Sequence, residues 1–282
     1  MKEEVLITGS TGFIGNALIN KFKKNNKKYS IFDRNKLSFS DTKNVQKIVK
    51  RKKFIVHLAG KTKGSNLEVF DANTNPTLNL LESISTIKGS KPVFVFASSF
   101  AVYKEGRRTL SESSEVCPRN MYGLSKLFSE EMIKYYSKNY NIPCVILRLS
   151  NVYGSGIDPF THSVIATFIY QAKNNLPITI NSDGTQTRDF VFVDDVVSAI
   201  EKVLNKKWKE GKTEIINICS SDKISLKDVV KIIQRITKNK LKVEYNRNFK
   251  EKGYWIGNNQ KSKKILDWRP KTAFTKALQK MI

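Results

Sequence analysis

A glycine-rich turn near the start of the chain limits the possible folds more than any other feature. The apolar run VLIT at residues 5–8 leads directly into TGSTGFIG, which opens an amphipathic stretch that ends near Asn25. Gly9 permits a tight turn, Gly12 lets backbone approach a pyrophosphate at a helix N-terminus, and Gly15 lets the helix lie close to the strand. This order of strand, turn and helix predicts a dinucleotide-binding unit.

An acidic residue ends the second predicted strand, where a dinucleotide site requires one. Asp33 would accept hydrogen bonds from the hydroxyls of an adenosine ribose, and its charge would repel a 2′-phosphate. Arg34, the next residue, could instead accept that phosphate. The predicted cofactor is therefore NAD or NADP, with NAD favoured by Asp33.

Short apolar runs alternate with amphipathic stretches through the first half of the chain. Strands are predicted at residues 5–8, 29–32, 54–57, 93–96 and 144–147, because these runs are brief and rich in β-branched or aromatic residues. Helices are predicted at residues 12–25, 41–50, 73–85 and 122–140. This alternation predicts an α/β fold, a Rossmann-like doubly wound parallel sheet.

The alternation loosens after about Leu149, which predicts a smaller C-terminal α/β lobe. Helical patterns return at residues 164–174, 193–204, 226–237 and 272–281, with short strands at 178–180 and 215–218. We expect residues 1–150 to bind the dinucleotide and carry the catalytic residues, with return segments from about 185–215. Residues 151–282 are expected to form mainly a substrate-binding lobe.

The chain is strongly basic. Its 282 residues include 50 Lys and Arg against 25 Asp and Glu, a formal charge of +25. This surplus attracts anions, but the lysines are scattered and form no stripe interleaved with stacking aromatics. A solvated basic surface is therefore favoured, and no nucleic-acid partner is predicted.

Cysteine usage and apolar run length narrow the class of protein further. Cys117, Cys144 and Cys219 show no CxxC or Cys/His spacing, so neither a disulfide framework nor a metal site is predicted. No apolar stretch approaches the roughly 18 residues that a membrane span requires. We expect a cytoplasmic protein with no membrane partner.

Three polar residues follow the dinucleotide turn in an order that suggests proton transfer. Tyr122 and Lys126 lie four residues apart at the start of a predicted helix, so both side chains project from one face. Ser99 ends the fourth predicted strand, at the sheet edge where ligands of doubly wound folds bind. A lysine cation together with a nicotinamide cation would lower the pKa of the phenol, so that Tyr122 could exchange a proton with a sugar or alcohol oxygen.

A series of motifs along nearly the whole chain resembles one family. The motifs are TGSTGFIG, HLAG at 57–60, Asn73 before a helix, SSFAVY at 98–103, YGLSK at 122–126, RLSNVYG at 148–154, DGTQTRDFVFVDDV at 183–196, INICSSDKISLKDVV at 216–230 and LDWRP at 266–270. The sequence resembles the extended short-chain dehydrogenases/reductases, also called the NAD-dependent epimerase/dehydratase family of nucleotide-sugar enzymes.

The resemblance implies roles for individual residues of this chain. Ser99, Tyr122 and Lys126 match the catalytic set, and Lys126 would also bind the nicotinamide ribose. Residues implied in cofactor binding are Gly9, Gly12, Phe13, Ile14, Gly15, Asp33, Arg34, Ala59 and Gly60. Residues implied in binding the substrate's nucleotide diphosphate are Asn151, Arg188 and Arg247. Arg188 has a second interpretation, an ion pair with Asp189 or Asp194.

One departure from the family pattern concerns the cofactor. The family often carries an aspartate near residue 38 that touches adenine, and this chain has Leu37-Ser-Phe-Ser40 there. The resemblance therefore leaves the adenine contacts undefined.

A second departure bears on the reaction. Sugar 4,6-dehydratases of the family follow the catalytic serine or threonine with an Asp-Glu pair, whereas this chain has Phe100 and Ala101. Neither side chain can transfer a proton, so dehydration is disfavoured. The resemblance then implies reduction of a 4-keto(-6-deoxy) sugar nucleotide, favoured by the short chain, or 4-epimerisation with tightly bound NAD.

Two further expectations follow from the resemblance and from the charge. Family members often pair through two helices each, so a homodimer is expected, with residues 73–88 and 122–140 at the interface. The positive charge also keeps open a non-catalytic NAD-binding or RNA-binding protein on the same fold.

Overall fold

The apolar runs of the N-terminal half become strands in the computed structural model, which describes residues 4–106, 108–160, 163–248 and 253–282. Within these residues the strands are β1 (Val5–Thr8), β2 (Tyr29–Ile31), β3 (Phe54–His57), β4 (Val93–Ser99), β5 (Cys144–Leu149), β6 (Asn151–Tyr153), β7 (Ile178–Asn181), β8 (Thr187–Arg188), β9 (Phe190–Phe192), β10 (Thr213–Ile218), β11 (Ile224–Ser225), β12 (Val243–Asn246) and β13 (Tyr254–Trp255). The helices are α1 (Phe13–Lys24), α2 (Thr42–Val49), α3 (Asn66–Ser85), α4 (Met121–Tyr140), α5 (Val164–Lys173), α6 (Val193–Leu204), α7 (Leu226–Thr237), α8 (Gln260–Leu266) and α9 (Phe274–Met281).

A six-stranded sheet organises the larger part of the chain. Its strand order is β10-β5-β4-β3-β1-β2, and the pairs of β1 with β2, β1 with β3, and β3 with β4 are parallel. Every residue of β1, β3 and β5 is buried, as expected for strands covered on both faces. The predicted Rossmann-like parallel sheet is confirmed.

Helix α3 begins earlier than the sequence pattern predicts. The predicted start was Asn73, whereas the helix starts at Asn66 and buries Asn73 in its interior. The Ser65 hydroxyl accepts from the Glu68 amide at 3.3 Å, and the Glu68 carboxylate accepts from the Ser65 amide at 2.9 Å. This capping box defines the start of the helix, because it satisfies amides that have no partner within the helix.

The chain divides into two compact units. The first contains residues 1–104, 114–148 and 197–216, and the second contains residues 105–113, 149–196 and 217–282. The core of the first unit is apolar and includes Leu6, Phe32, Ile55, Leu80, Phe94, Ile133 and Ile146. That this unit binds the dinucleotide, and that the other binds substrate, stay predictions.

Among its described residues, the second unit contains small sheets with the orders β11-β8-β13, β12-β7 and β6-β9. It also has an apolar core of its own, whose buried residues include Tyr153, Phe168, Ile178, Phe190, Val229 and Phe274. None of the helices in the described parts of either unit has the length and apolar character to cross a membrane.

Candidate active site

The glycine turn after β1 is held by close backbone packing. Gly9 has a φ of +69°, in the left-handed region, and a Cβ there would meet the Ala59 nitrogen at 2.5 Å. A Cβ on Gly15 would overlap the carbonyl oxygen of Gly9. Glycine is therefore required twice, once for conformation and once for the approach of α1 to the turn.

The N-terminus of α1 is available to an anion. Gly12 is the N-cap, no side chain caps the helix there, and its first turn contains no acidic residue. Phe13 and Ile14 are the first residues of the helix, so their amides belong to the group that lacks partners within it. A glycine-flanked turn whose helix has no side-chain cap, at the positive end of a helix dipole, fits a pyrophosphate.

Asp33 and Arg34 lie just beyond β2, next to the strand that leads into the glycine turn. The Asp33 carboxylate accepts a hydrogen bond from the Asn35 amide at 3.0 Å, which orients it at the strand end. Arg34 is exposed and lines an open cavity of about 610 Å³ together with residues 35–40 and part of α3. The segment 37–40 that departs from the family pattern thus lines this cavity, with serine hydroxyls where the family carries an aspartate.

The loop after β3 connects the dinucleotide turn with Lys126. The Ala59 amide donates to the Thr8 hydroxyl at 3.3 Å. A Cβ on Gly60 would meet the Asn73 side-chain oxygen at 2.7 Å and the Lys126 nitrogen at 3.3 Å. Glycine at position 60 therefore leaves the space into which the lysine reaches.

Ser99, Tyr122 and Lys126 come together at the end of β4. The Ser99 hydroxyl accepts from the Ala101 amide at 3.1 Å and lies near enough to the Tyr122 phenol to favour its ionised form. The Lys126 ammonium donates to the Ala97 carbonyl at 2.9 Å and lies 5.9 Å from the centre of the Tyr122 ring. Asn120 caps α4 through the Gly123 amide at 2.8 Å, which fixes the helix turn that presents the tyrosine.

The electrostatics of the site differ from the sequence-based expectation in one respect. Burial lowers the pKa of Lys126 to about 8, and nearby Glu130 partly offsets that effect. Burial also raises the pKa of Tyr122, and the Ser99 hydrogen bond offsets only part of this. In the chain by itself the pKa of the phenol is therefore raised, because burial penalises the phenolate more than the Ser99 hydroxyl stabilises it. The lowering expected beside a nicotinamide cation stays a prediction.

The sequence interpretation gave no role to two buried polar side chains beside the catalytic set, Asn73 and Glu130. The Asn73 side chain accepts from the Lys61 amide at 2.8 Å and donates to the Ser125 hydroxyl at 2.9 Å, which joins the loop after β3 to α4. Glu130 is fully buried one turn beyond Lys126. The four-residue spacing of Lys126 and Glu130 was a sequence signal for a shared helix face.

Two of the predicted diphosphate-binding residues, Asn151 and Arg188, donate hydrogen bonds to backbone carbonyls of the second unit. Asn151 begins β6, and both its amide and its side chain donate to the Asp189 carbonyl, at 3.0 and 3.1 Å. Arg188 ends β8 and donates to the carbonyls of Thr187 and Gly253 at 3.1 and 3.3 Å. Arg247 lies in an exposed turn after β12.

The carboxylate of Asp189 has partners that orient this region. It accepts hydrogen bonds from Ser150, from Ser220 and from the amides of Ser221 and Gly257, at 2.7 to 3.1 Å. Burial raises the pKa of Asp189, and the hydrogen bonds of these groups oppose that effect. The Asp189 carboxylate follows Arg188 in the chain and holds Ser150, which precedes Asn151. It also holds the backbone at residues 220–221 and 257.

Comparison with known proteins gives one family. Residues 5–219 match the NAD dependent epimerase/dehydratase family. The chain is 31% identical to a putative UDP-glucose 4-epimerase of Methanocaldococcus jannaschii, over 99% of this chain and 97% of that protein. It is 29% identical to dTDP-4-dehydro-6-deoxyglucose reductase of Escherichia coli, over 83% of this chain and 81% of that protein.

The fold is similar to that of solved epimerase structures. UDP-glucuronic acid 4-epimerase from Bacillus cereus, in complex with UDP-glucuronic acid and NAD, superposes with a TM-score of 0.87 at 25% identity. The superposition covers 98% of this chain and 97% of that one. The family resemblance found in the motifs is confirmed.

Proposed function

The chain belongs to the NAD dependent epimerase/dehydratase family, and we propose that it exchanges a hydride at C4 of a nucleotide-activated sugar. The observation that supports this is the convergence of Ser99, Tyr122 and Lys126 at the end of β4. A phenol, a hydroxyl and an ammonium at one sheet edge suit the oxidation of an alcohol or the reduction of a ketone.

The residues around the glycine turn fit NAD. Backbone amides of Phe13 and Ile14 would bind its pyrophosphate, Gly12, whose amide donates to the Gly9 carbonyl, would let it approach, and the Asp33 carboxylate would accept from the adenosine ribose hydroxyls. Lys126 would hold the nicotinamide ribose. The cofactor supplies the hydride acceptor and donor.

The chain's own residues carry the proton chemistry. Ser99 would hold the C4 oxygen of the sugar by a hydrogen bond, and Tyr122 would donate a proton to that oxygen or remove one from it. Because burial raises the pKa of Tyr122, the phenol is protonated before ligands bind and is ready to act as an acid. Acting as a base requires the added positive charge of the oxidised nicotinamide ring.

Asn151, Arg188 and Arg247 are proposed to bind the diphosphate of the substrate. A guanidinium presents paired donors that match phosphate oxygens. The carbonyl contacts of the Arg188 guanidinium and the hydrogen bond from the Asn151 side chain to the Asp189 carbonyl support this role, because they hold the polar ends of both side chains in place.

The first candidate reaction is 4-epimerisation. It is favoured by the similarity to a putative 4-epimerase along almost the whole of both chains. Asp33, which favours NAD over NADP, agrees with an enzyme that keeps its cofactor and uses it in both directions.

The second candidate is reduction of a 4-keto sugar. It needs the phenol only as an acid, and the buried phenol, whose pKa is raised, is protonated before ligands bind. The similarity to the Escherichia coli reductase also supports it. Dehydration is not proposed, because Phe100 and Ala101 cannot act as acid or base.

An assay with UDP-, dTDP-, GDP- and CDP-sugars distinguishes these reactions. Each sugar is supplied with and without reduced cofactor, and both the sugar and the cofactor are analysed. A changed sugar without net cofactor oxidation identifies an epimerase, whereas stoichiometric oxidation identifies a reductase. No turnover of any sugar, with steeply salt-dependent RNA binding, would instead support the non-catalytic alternative.

The role of Tyr122 is tested by Tyr122→Phe. We expect turnover to fall by about 10²–10⁴-fold, because the proton donor at the C4 oxygen is lost. Binding of NAD, measured by calorimetry, should be nearly unchanged. Tyr140→Phe, at an exposed tyrosine of the same helix, is the control and should keep full activity. An active Tyr122→Phe enzyme would refute the mechanism.

A further inference from the structure

A buried ion pair lies directly behind the proposed catalytic residues. The carboxylate of Glu130 is fully buried, and the Arg148 guanidinium on β5 donates to it from Nε at 3.0 Å and from Nη2 at 2.6 Å. The guanidinium lies 4.7 Å from the centre of the Tyr103 ring. One carboxylate thus connects α4 with β5.

The same carboxylate also holds the end of β4. The Ser98 hydroxyl donates to Glu130 at 2.5 Å. Ser98 is buried, and its neighbour Ser99 belongs to the proposed catalytic set. One turn earlier on α4, Lys126 donates to the carbonyl of Ala97. Two successive turns of α4 are therefore bound to two successive residues of β4, just before the catalytic serine.

We propose that Glu130 is a positioning residue, which keeps Lys126 in its charged form and fixes the end of β4 that carries Ser99. The inference rests on the proposed function, because it gives Lys126 and Ser99 the roles described there. In this role Glu130 contacts neither the sugar nor the cofactor. It acts through Lys126, one turn earlier on α4, and through Ser98 on β4.

The charges that face Lys126 support this role. From β3, buried His57 lies near Lys126, and the lysine cation lowers the pKa of that histidine. From α4, Tyr122 lies near the ammonium and is neutral while protonated. Burial lowers the pKa of Lys126 and the Glu130 carboxylate opposes that effect, and the pKa that results from both is about 8. Without the charge of Glu130, Lys126 would lose its proton at a lower pH.

The first test replaces the carboxylate with an amide in Glu130→Gln. The affinity for NAD is measured by calorimetry about one pH unit below and above 8. In the wild type we expect affinity to fall as Lys126 loses its proton, and in the variant the same fall occurs at lower pH. Near pH 8 the variant should bind NAD roughly fivefold more weakly. Glu131→Gln, which breaks only an exposed pair with Lys134, should behave as the wild type.

Glu130→Gln also leaves Arg148 buried without its carboxylate, so loss of stability must be separated from the proposed effect. We expect its melting temperature to fall by on the order of 10 °C. The double variant Glu130→Gln/Arg148→Met removes both charges and should recover most of that loss. It should still show the shifted pH dependence of NAD binding. Wild-type pH dependence in either variant would assign Glu130 a merely structural role and overturn the proposal.

A measurement without ligands separates this inference from the proposed function. The pKa of Lys126 is lowered from 10.5 to about 8 in the folded chain. Between those values the unfolded chain binds more protons, so the free energy of unfolding rises with pH as buried Lys126 becomes neutral. In the double variant this rise should begin at lower pH, even if no sugar is turned over. An unchanged onset would contradict the inference alone, whereas failure of every sugar would contradict only the proposed function.

Discussion

Phe100 and Ala101 show how a missing functional group can have a structural reason. Phe100 is buried, and the centroids of its ring and the Tyr103 ring lie 5.4 Å apart at an interplanar angle of 87°. The Ala101 amide donates to the Ser99 hydroxyl. An acid at position 100 would be placed in the apolar core, where its charge is costly. The Ala101 amide therefore supports the serine hydroxyl, and neither the Phe100 nor the Ala101 side chain carries a group that can transfer a proton.

His57, in the HLAG motif, is a neutral buried base within a chain of hydrogen bonds. Its Nδ1 is 2.6 Å from the Thr8 hydroxyl, and its Nε2 is 3.1 Å from the Thr77 hydroxyl. The Thr77 hydroxyl donates in turn to the carbonyl of Asn73, so Nε2 carries the proton and donates to Thr77. Burial, with a smaller effect of Lys126, lowers the pKa of His57 to about 3.

The state of His57 predicts acid sensitivity. Its pKa is about 3 in the folded chain against 6.5 ordinarily, so the unfolded chain binds an extra proton between these values. Stability is therefore lost as pH falls, by up to roughly 4 kcal/mol near pH 3. Denaturant unfolding should show a smaller loss between neutral and acidic pH in His57→Gln than in the wild type.

The chain's other histidine provides the control for this prediction. His162→Gln should retain the full loss of stability with falling pH. An equal loss in His57→Gln and the wild type would show that other groups dominate acid unfolding.

At the scale of single elements, the glycine turn shows what sequence patterns predict well. The spacing of the glycines alone predicted the turn. Where a helix N-terminus packs against a strand end, the positions in contact leave no room for a side chain. The structure adds which atoms would collide. Gly15 faces the backbone of Gly9, whereas Gly12 has more room, since a Cβ there would meet the Gly9 oxygen at 3.3 Å.

Gly15→Ala tests the requirement for close packing. The added methyl group would overlap the Gly9 carbonyl, so helix and turn must separate. We expect a loss of about 1–3 kcal/mol in the free energy of unfolding and a large loss of NAD affinity. Gly106→Ala, where a Cβ would meet no described atom closer than 4.0 Å, should change neither. Normal NAD binding by Gly15→Ala would disprove the role of the turn.

The start of helix α3 was predicted wrongly from the apolar pattern of the sequence. Apolar periodicity placed its start at Asn73, and Pro76 is a residue type common in the first turn of a helix. The structure instead carries the helix through Pro76 from Asn66. The signal that was overlooked is local, since Ser65 and Glu68 have the spacing of a capping box.

At the scale of the whole molecule, α3 and α4 present an exposed apolar face. The residues of this face are Leu67, Leu124, Phe128 and Tyr135. The centroids of the Phe70 ring on α3 and the Phe128 ring on α4 lie 5.4 Å apart. Because these rings are in contact, the two helices form one surface. We propose that a second copy of the chain covers this face, as the family resemblance implies for the two helices.

The predicted homodimer is tested at Phe128 and Tyr135. Phe128→Glu/Tyr135→Glu places two charges in the face, and sedimentation equilibrium should show the mass of a dimer fall to that of a monomer. Leu176→Glu, an equally apolar and exposed position of the second unit, should leave the mass unchanged. A monomeric wild type would contradict the proposal.

The sequence by itself determined the sheet, the glycine turn, the acidic strand end and the identities of Ser99, Tyr122 and Lys126. These features depend on local spacing and on apolar periodicity, which are written directly in the order of residues. Only the tertiary structure decided that Glu130, Arg148 and Ser98 meet behind the site and that burial controls the pKa values of Tyr122 and Lys126. Such properties arise from the distances between elements far apart in the chain and from exclusion of water, which no local pattern encodes.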